Sequence, residues 1–202
     1  MTSSVVPLGA NGLVCAVADG VGGRPGGHWA AHTVVACLAE TLVAGNTIQA
    51  VSAVLAAANE RLTGGRGRGP GPATTVAGIS CSMEQIVVFN IGDSRVYELN
   101  GSGAHLLSVD HRSRTDARSI TRFLGGSSAH AIPQITNAGP PSARNFLICS
   151  DGFHSFLRES DFSLFLELDP AQALKALVEM SLDGGSNDNL SAIFCKTHSG
   201  NH

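Results

Sequence analysis

Three aspartates stand at the ends of apolar strand-like runs, each beside glycine or asparagine. Leu13 to Ala18 is a continuous apolar run that ends in Asp19-Gly20, and Asn145 to Cys149 is another that ends in Ser150-Asp151-Gly152. Asp188, between Asn187 and Asn189, opens the last apolar run, Leu190 to Lys196. A short apolar run of this kind is a buried strand, and a carboxylate at its end is held by the sheet while it faces a loop-lined cleft. Any one Asp-Gly pair is an ordinary turn. Three carboxylates in this context, from distant parts of the chain, point to convergence. Converging carboxylates repel one another unless a hard cation lies between them. With only oxygen ligands on offer, Mg²⁺ or Mn²⁺ is the natural occupant.

The remaining elements follow from pattern. His28 to Val43 has helical spacing, and Thr47 is a cap for a second helix reaching Arg61. Thr74 to Cys81 and Gln85 to Ile91 are strand-like around Ser82-Met83-Glu84. Arg95 to Leu99 and Ala104 to Val109 form a second hairpin around Asn100-Gly101. Arg114 to Leu124 is expected as a short helix. Asp161 to Leu168 and Ala171 to Leu182 are helical, with Asp169 as cap and Pro170 in the first turn. The order is strand, helices, many strands, helices, strand: an α+β chain with mostly antiparallel pairing. Its 202 residues suggest one domain, and 43% hydrophobic residues suffice for a sizeable core.

Composition narrows the function. A net charge of −3 offers no long-range attraction to nucleic acid or anionic lipid. Gly65-Arg66-Gly67-Arg68-Gly69 lacks the Lys-Ser/Thr of a phosphate-binding loop and has too few arginines to bind RNA; it reads as a loop. The five cysteines are scattered, with no Cys-x-x-Cys pair, as buried small hydrophobes of a reducing compartment. No signal peptide or apolar run long enough to span a bilayer is evident, so the expected location is cytoplasmic.

Seven segments, in order, resemble the motifs of the PPM (PP2C-like) metal-dependent protein serine/threonine phosphatases. They are Ala18-Asp19-Gly20-Val21-Gly22-Gly23, Pro72-Ala73-Thr74-Thr75, Asn90-Ile91-Gly92-Asp93-Ser94-Arg95-Val96-Tyr97, Val109-Asp110-His111, Ile120-Thr121-Arg122-Phe123-Leu124-Gly125, Leu147-Ile148-Cys149-Ser150-Asp151-Gly152 and Ser186-Asn187-Asp188-Asn189-Leu190-Ser191. The resemblance implies a β-sandwich of two antiparallel sheets flanked by α-helices, in a single phosphatase domain over 1–202. It implies two Mn²⁺ or Mg²⁺ ions: Asp19 bridging them, the Gly20 carbonyl on the second, Asp151 and Asp188 on the first. Asp93, with Asp151, matches a third, weaker site. A metal-activated water would attack phosphorus in line, so no Cys or Ser nucleophile is sought. The Asp-Gly-Val-Gly-Gly form resembles bacterial members that oppose Hanks-type Ser/Thr kinases, with a phosphoprotein as substrate.

The chain departs from the family at its start. Members carry an Arg and then an Asn-x-Asp or Asn-Glu-Asp segment before the first Asp-Gly. Here no Asp, Glu, Lys or Arg precedes Asp19. The expectations are a weakened second metal, and a truncated N-terminal strand that leaves a sheet edge unpaired. Arg24, just after the Gly-Gly turn, is the candidate replacement on the substrate phosphate, against the alternative of a solvated loop arginine. His28 and His32 lie one helical turn apart, as surface histidines or a transition-metal pair; His111 is expected to be structural, and His154 carries no assignment. Two functions stand: a working phosphatase, or a pseudophosphatase that uses the same fold as a binding or regulatory module.

Overall fold

The computed structural model describes residues 2–7, 12–41, 47–64, 70–116, 119–126, 130–140 and 142–197. The Gly65–Gly69 segment and the end of the expected first helix, beyond Thr41, lie outside them. Among the described residues, nine strands form two antiparallel sheets. The first has the order β1-β2-β3-β4-β7: Thr2–Pro7, Gly12–Ala18, Val76–Ser82, Ile86–Ile91 and Gln134–Asn137. The second has the order β6-β5-β8-β9: Gly103–Leu106, Arg95–Asn100, Arg144–Cys149 and Ala192–Thr197. Helices α1 (Gly27–Thr41) and α2 (Ile48–Thr63) cover the outer face of the first sheet. Three helices cover the second: the short α3 (Asp151–His154) and α4 (Leu164–Glu167) and the longer α5 (Pro170–Asp183), with a 3₁₀ turn at Glu159–Ser163.

The alternation of side chains along each strand builds three packed layers. Val14, Ala16, Val87 and Phe89 point at Val34, Leu38, Val54 and Leu55 of α1 and α2. Their neighbours Cys15, Val17, Ile79 and Val88 point inward, against Val96, Phe146 and Ile148 of the other sheet. Tyr97, Leu147 and Cys149 face outward again, onto Phe153, Phe162 and Leu177. Both faces of the central strands are thus buried, which is why they read as continuous apolar runs rather than as alternating ones. All five cysteines are buried, and none forms a disulfide. No helix among the described residues is long and apolar enough to cross a membrane.

The helix caps follow the sequence. The Thr47 hydroxyl accepts from Ala50 N at 3.1 Å, and the Asp169 carboxylate accepts from Ala171 N at 2.9 Å ahead of Pro170. Thr47→Ala is expected to cost about 1 kcal/mol, lowering the melting temperature by roughly 2–4 °C; thermal unfolding followed by circular dichroism measures it.

Four expectations need correction. The segment from Arg114 to Leu124 contains no helix among its described residues. Thr121 instead donates N–H and hydroxyl to the His111 carbonyl (2.7 and 3.0 Å), and Ser113 N bonds Ser119 O at 2.7 Å, closing a loop. Ser, Thr and Asp offer the backbone such alternatives to a helix. The second hairpin is shorter than expected, since β6 ends at Leu106. The segment Asp161 to Leu168 is broken, a 3₁₀ turn running into the four residues of α4. Finally, the edge of β2 is not bare: β1 pairs along it from Thr2↔Ala18 to Pro7↔Leu13.

Candidate active site

The turn at the end of β2 is clamped by the start of β3. The Asp19 carbonyl accepts from Thr75 N at 2.8 Å and from the Thr74 hydroxyl at 2.9 Å, and Val21 N reaches Ala73 O at 2.9 Å. Gly20 packs directly on Gly27, where an added Cβ would lie 2.6 Å from the Gly27 carbonyl carbon. With its main chain held from both sides, the Asp19 side chain is left to face the cleft.

Asp93 sits in the β4–β5 turn. Gly92 adopts φ +108°, which only glycine takes without strain. Its N–H donates to His111 Nδ1 at 3.1 Å, and His111 N–H returns a bond to Gly92 O at 2.9 Å. His154 Nε2 donates to Asp93 O at 3.0 Å. Burial holds the pKa of both histidines low, that of His154 to about 4, so at neutral pH each is an uncharged brace. Arg95 of the same motif does not enter the cleft. It forms a two-pronged pair with Asp110 (Nε–Oδ1 3.0 Å, Nη2–Oδ2 2.7 Å) and bonds the Tyr97 hydroxyl at 2.8 Å.

Asp151 begins α3 where β8 ends, and its Oδ1 accepts from Gly152 N at 2.8 Å. The loop before β9 lies against it. A Cβ on Gly152 would strike the Asn189 carbonyl and come within 3.2 Å of the Asp188 Cβ, so glycine is what lets the two acid-bearing segments meet. The Ser186 hydroxyl fastens the loop to Gly152 O at 2.8 Å.

Asp19, Gly20, Asp93, Asp151 and Asp188 therefore share the wall of one cavity of about 230 Å³, with Thr75 and Ile120. Burial, followed by the charge of Asp151, raises the Asp19 pKa to about 8 and that of Asp93 to about 6. Asp19 is thus short of countercharge, while Asp93 is raised less because Arg112 lies beside it. Among the described residues, no three acid, His or Cys side chains are drawn together as a finished metal cage. The carboxylates line the walls and would close in on an ion. The donor set is all oxygen, which fits hard divalent cations.

Two arginines lie at or beside the acid cavity. Arg24 lies outside the acid cavity, in a neighbouring one of about 550 Å³ that shares Ile120 with it. Its guanidinium stacks 4.4 Å from the Phe123 ring centroid and donates to Gly71 O at 3.3 Å. Arg112, which the sequence did not single out, is at the acids instead, with Nη2 3.1 Å from Asp93 Oδ2. Only its adjacence to Asp110-His111 hinted at this. His28 and His32 do face each other, with ring centroids 4.7 Å apart, but neither lines the acid cavity.

The sequence profile of the family described as protein phosphatase 2C matches residues 7–193. This chain belongs to the protein phosphatase 2C family. Serine/threonine protein phosphatase PstP of Mycobacterium tuberculosis is 24% identical over 208 residues, covering 91% of this chain but 40% of PstP; the chain thus spans well under half of that relative. Among solved structures, the serine/threonine phosphatase of S. agalactiae superposes with a TM-score of 0.83 at 18% identity, over 96% of this chain and 91% of that one. The catalytic domain of PstP in complex with two manganese ions superposes with a TM-score of 0.79 at 24% identity, over 97% of this chain and 91% of that one. The two-sheet architecture is therefore that of protein phosphatase 2C structures.

Proposed function

We propose that this chain is a metal-dependent protein serine/threonine phosphatase, a single catalytic domain that hydrolyses phosphoserine and phosphothreonine with Mn²⁺ or Mg²⁺. The observation that carries this is the convergence of Asp19, Asp151 and Asp188, with Asp93, on one oxygen-lined cavity. Family membership supports the reaction class, and the PstP catalytic domain, solved with two manganese ions, supports the cofactor. Asp19 would lie between two ions, the Gly20 carbonyl would serve the second, and Asp151 and Asp188 would serve the first. Bound there, such ions acidify a water and neutralise charge on a transferring phosphoryl group.

The protein's own part is positioning. The Thr74–Thr75 clamp fixes the Asp19 turn, and Gly152 lets the Asp151 and Asp188 segments lie in contact. The five cysteines are buried away from solvent, as a mechanism without a thiol nucleophile allows. Arg24 is the candidate cation for the substrate phosphate, and it would have to leave the Phe123 ring to reach the acid cavity. Phosphoprotein targets of a Hanks-type kinase are the substrates this reading implies.

The test is hydrolysis of p-nitrophenyl phosphate and of a phosphothreonine peptide in Mn²⁺, in Mg²⁺ and in chelator. Turnover in metal that chelator removes is expected. A folded protein that binds Mn²⁺ and turns over neither substrate contradicts the proposal and leaves the pseudophosphatase.

A further inference from the structure

Among the described residues, Arg112 is the cation that lies against two of the cavity's acids, Asp93 and Asp151. It lies on the segment leaving β6, and its main chain is fixed by the Arg112–Ile120 bridge and by the Ser113–Ser119 and His111–Thr121 bonds, both 2.7 Å. From that base its guanidinium spans the acids. Nη2 lies 3.1 Å from Asp93 Oδ2 and 4.0 Å from Asp151 Oδ2, while Nε is 3.9 Å from Asp110 Oδ2. Asp110 already holds Arg95 at 2.7 Å, so the Arg112 charge is shared chiefly by Asp93 and Asp151. A divalent cation that took both carboxylates at about 2.1 Å would fall in the space the guanidinium spans. Like charges at that separation repel strongly where water is partly excluded.

We infer that Arg112 replaces a third metal ion in this protein: its guanidinium stands between Asp93 and Asp151, so the cavity takes two divalent cations and Asp93 serves as the carboxylate partner of Arg112. The inference rests on the metal-dependent reading above. Arginine suits the task because its charge is permanent, and its Nη2 faces both carboxylates. The positive charge beside Asp93 then belongs to the chain and does not vary with the metal supply.

The experiment is a calorimetric Mn²⁺ titration of the full chain as wild type, Arg112→Lys, Arg112→Gln, Asp93→Asn and Arg112→Gln/Asp93→Asn, each checked for folding by circular dichroism. Two equivalents of Mn²⁺ are expected for wild type, Arg112→Lys and Asp93→Asn. Arg112→Gln is expected to gain a third, weaker equivalent, which the double variant loses. Three equivalents on wild type, the same non-zero count on wild type and Arg112→Gln, or a drop in Asp93→Asn overturns this inference alone. Asp93→Asn keeps it open to refutation if Arg112→Gln does not fold. No Mn²⁺ on any of the five proteins overturns the phosphatase reading and this inference with it.

Discussion

Asp151→Asn is expected to lower metal-dependent hydrolysis by at least about 10²-fold, since losing even the outer partners of a metal ligand costs 10–100-fold, and at the same time to stabilise the metal-free protein. The side chain keeps its shape, and its amide oxygen can still accept from Gly152 N, so the turn survives. What disappears is a negative charge that faces Asp19 and Asp93 and helps to raise both their pKa values. A carboxylate whose folded pKa is raised binds its proton more tightly folded than unfolded. Its contribution is therefore intact below its ordinary pKa near 4 and is lost as pH rises through about 6 for Asp93 and about 8 for Asp19. Metal-free wild type should accordingly melt at a lower temperature at pH 8 than at pH 5. Asp151→Asn should flatten that slope and raise the melting temperature at pH 8 by roughly 2–8 °C, for about 1–2 kcal/mol. Saturating Mn²⁺ should flatten it in wild type as well, because the cation supplies the missing positive charge. Activity and stability moving in opposite directions separate a lost ligand from a damaged fold. Melts at two pH values with paired rate measurements read both.

Gly152→Ala should damage fold and site together. The added methyl meets main-chain oxygen at Asn189 rather than a side chain that can swing away, so the β9 loop or α3 must shift. Overpacking of this kind costs about 1–3 kcal/mol, a fall of roughly 2–12 °C in melting temperature. The shift opens the gap between Asp151 and Asp188, so Mn²⁺ affinity should fall about tenfold or more, by analogy with disturbed ligand-orienting contacts. Thermal melts with and without Mn²⁺, beside a Mn²⁺ titration, test this. Lower stability with unchanged affinity would show that the contact shapes the fold but not the metal centre.

The sequence was informative wherever one local cause decides a structure. Strands β2 and β8 lie between two packed layers, so their apolar runs stand out and the acids at their ends can be read directly. Thr47 and Asp169-Pro170 mark helix starts through their own hydrogen bonds. It was uninformative where partners distant in the chain decide. Strand β7 is only four residues long and contributes Ile135 to the core, too short for a period of two to show. The Arg114 to Leu124 segment looked helical, but its hydroxyls bond the backbone across a loop. Arg24 lies close to the Gly-Gly turn in sequence yet turns toward Phe123 and Gly71. Arg112 is 19 residues from Asp93, as the bond pairing their neighbours Gly92 and His111 also spans, and nothing in spacing reveals that a loop folds one onto the other.

The acid cavity is expected to be a metal centre. Crystals grown in Mn²⁺ and measured at the manganese absorption edge test it directly through an anomalous difference map. Two peaks are expected at about 2.1 Å from carboxylate oxygens of Asp19, Asp151 and Asp188, with the Arg112 guanidinium still on Asp93. A map with no peak in that cavity, from crystals in which manganese is bound elsewhere on the protein, would contradict it.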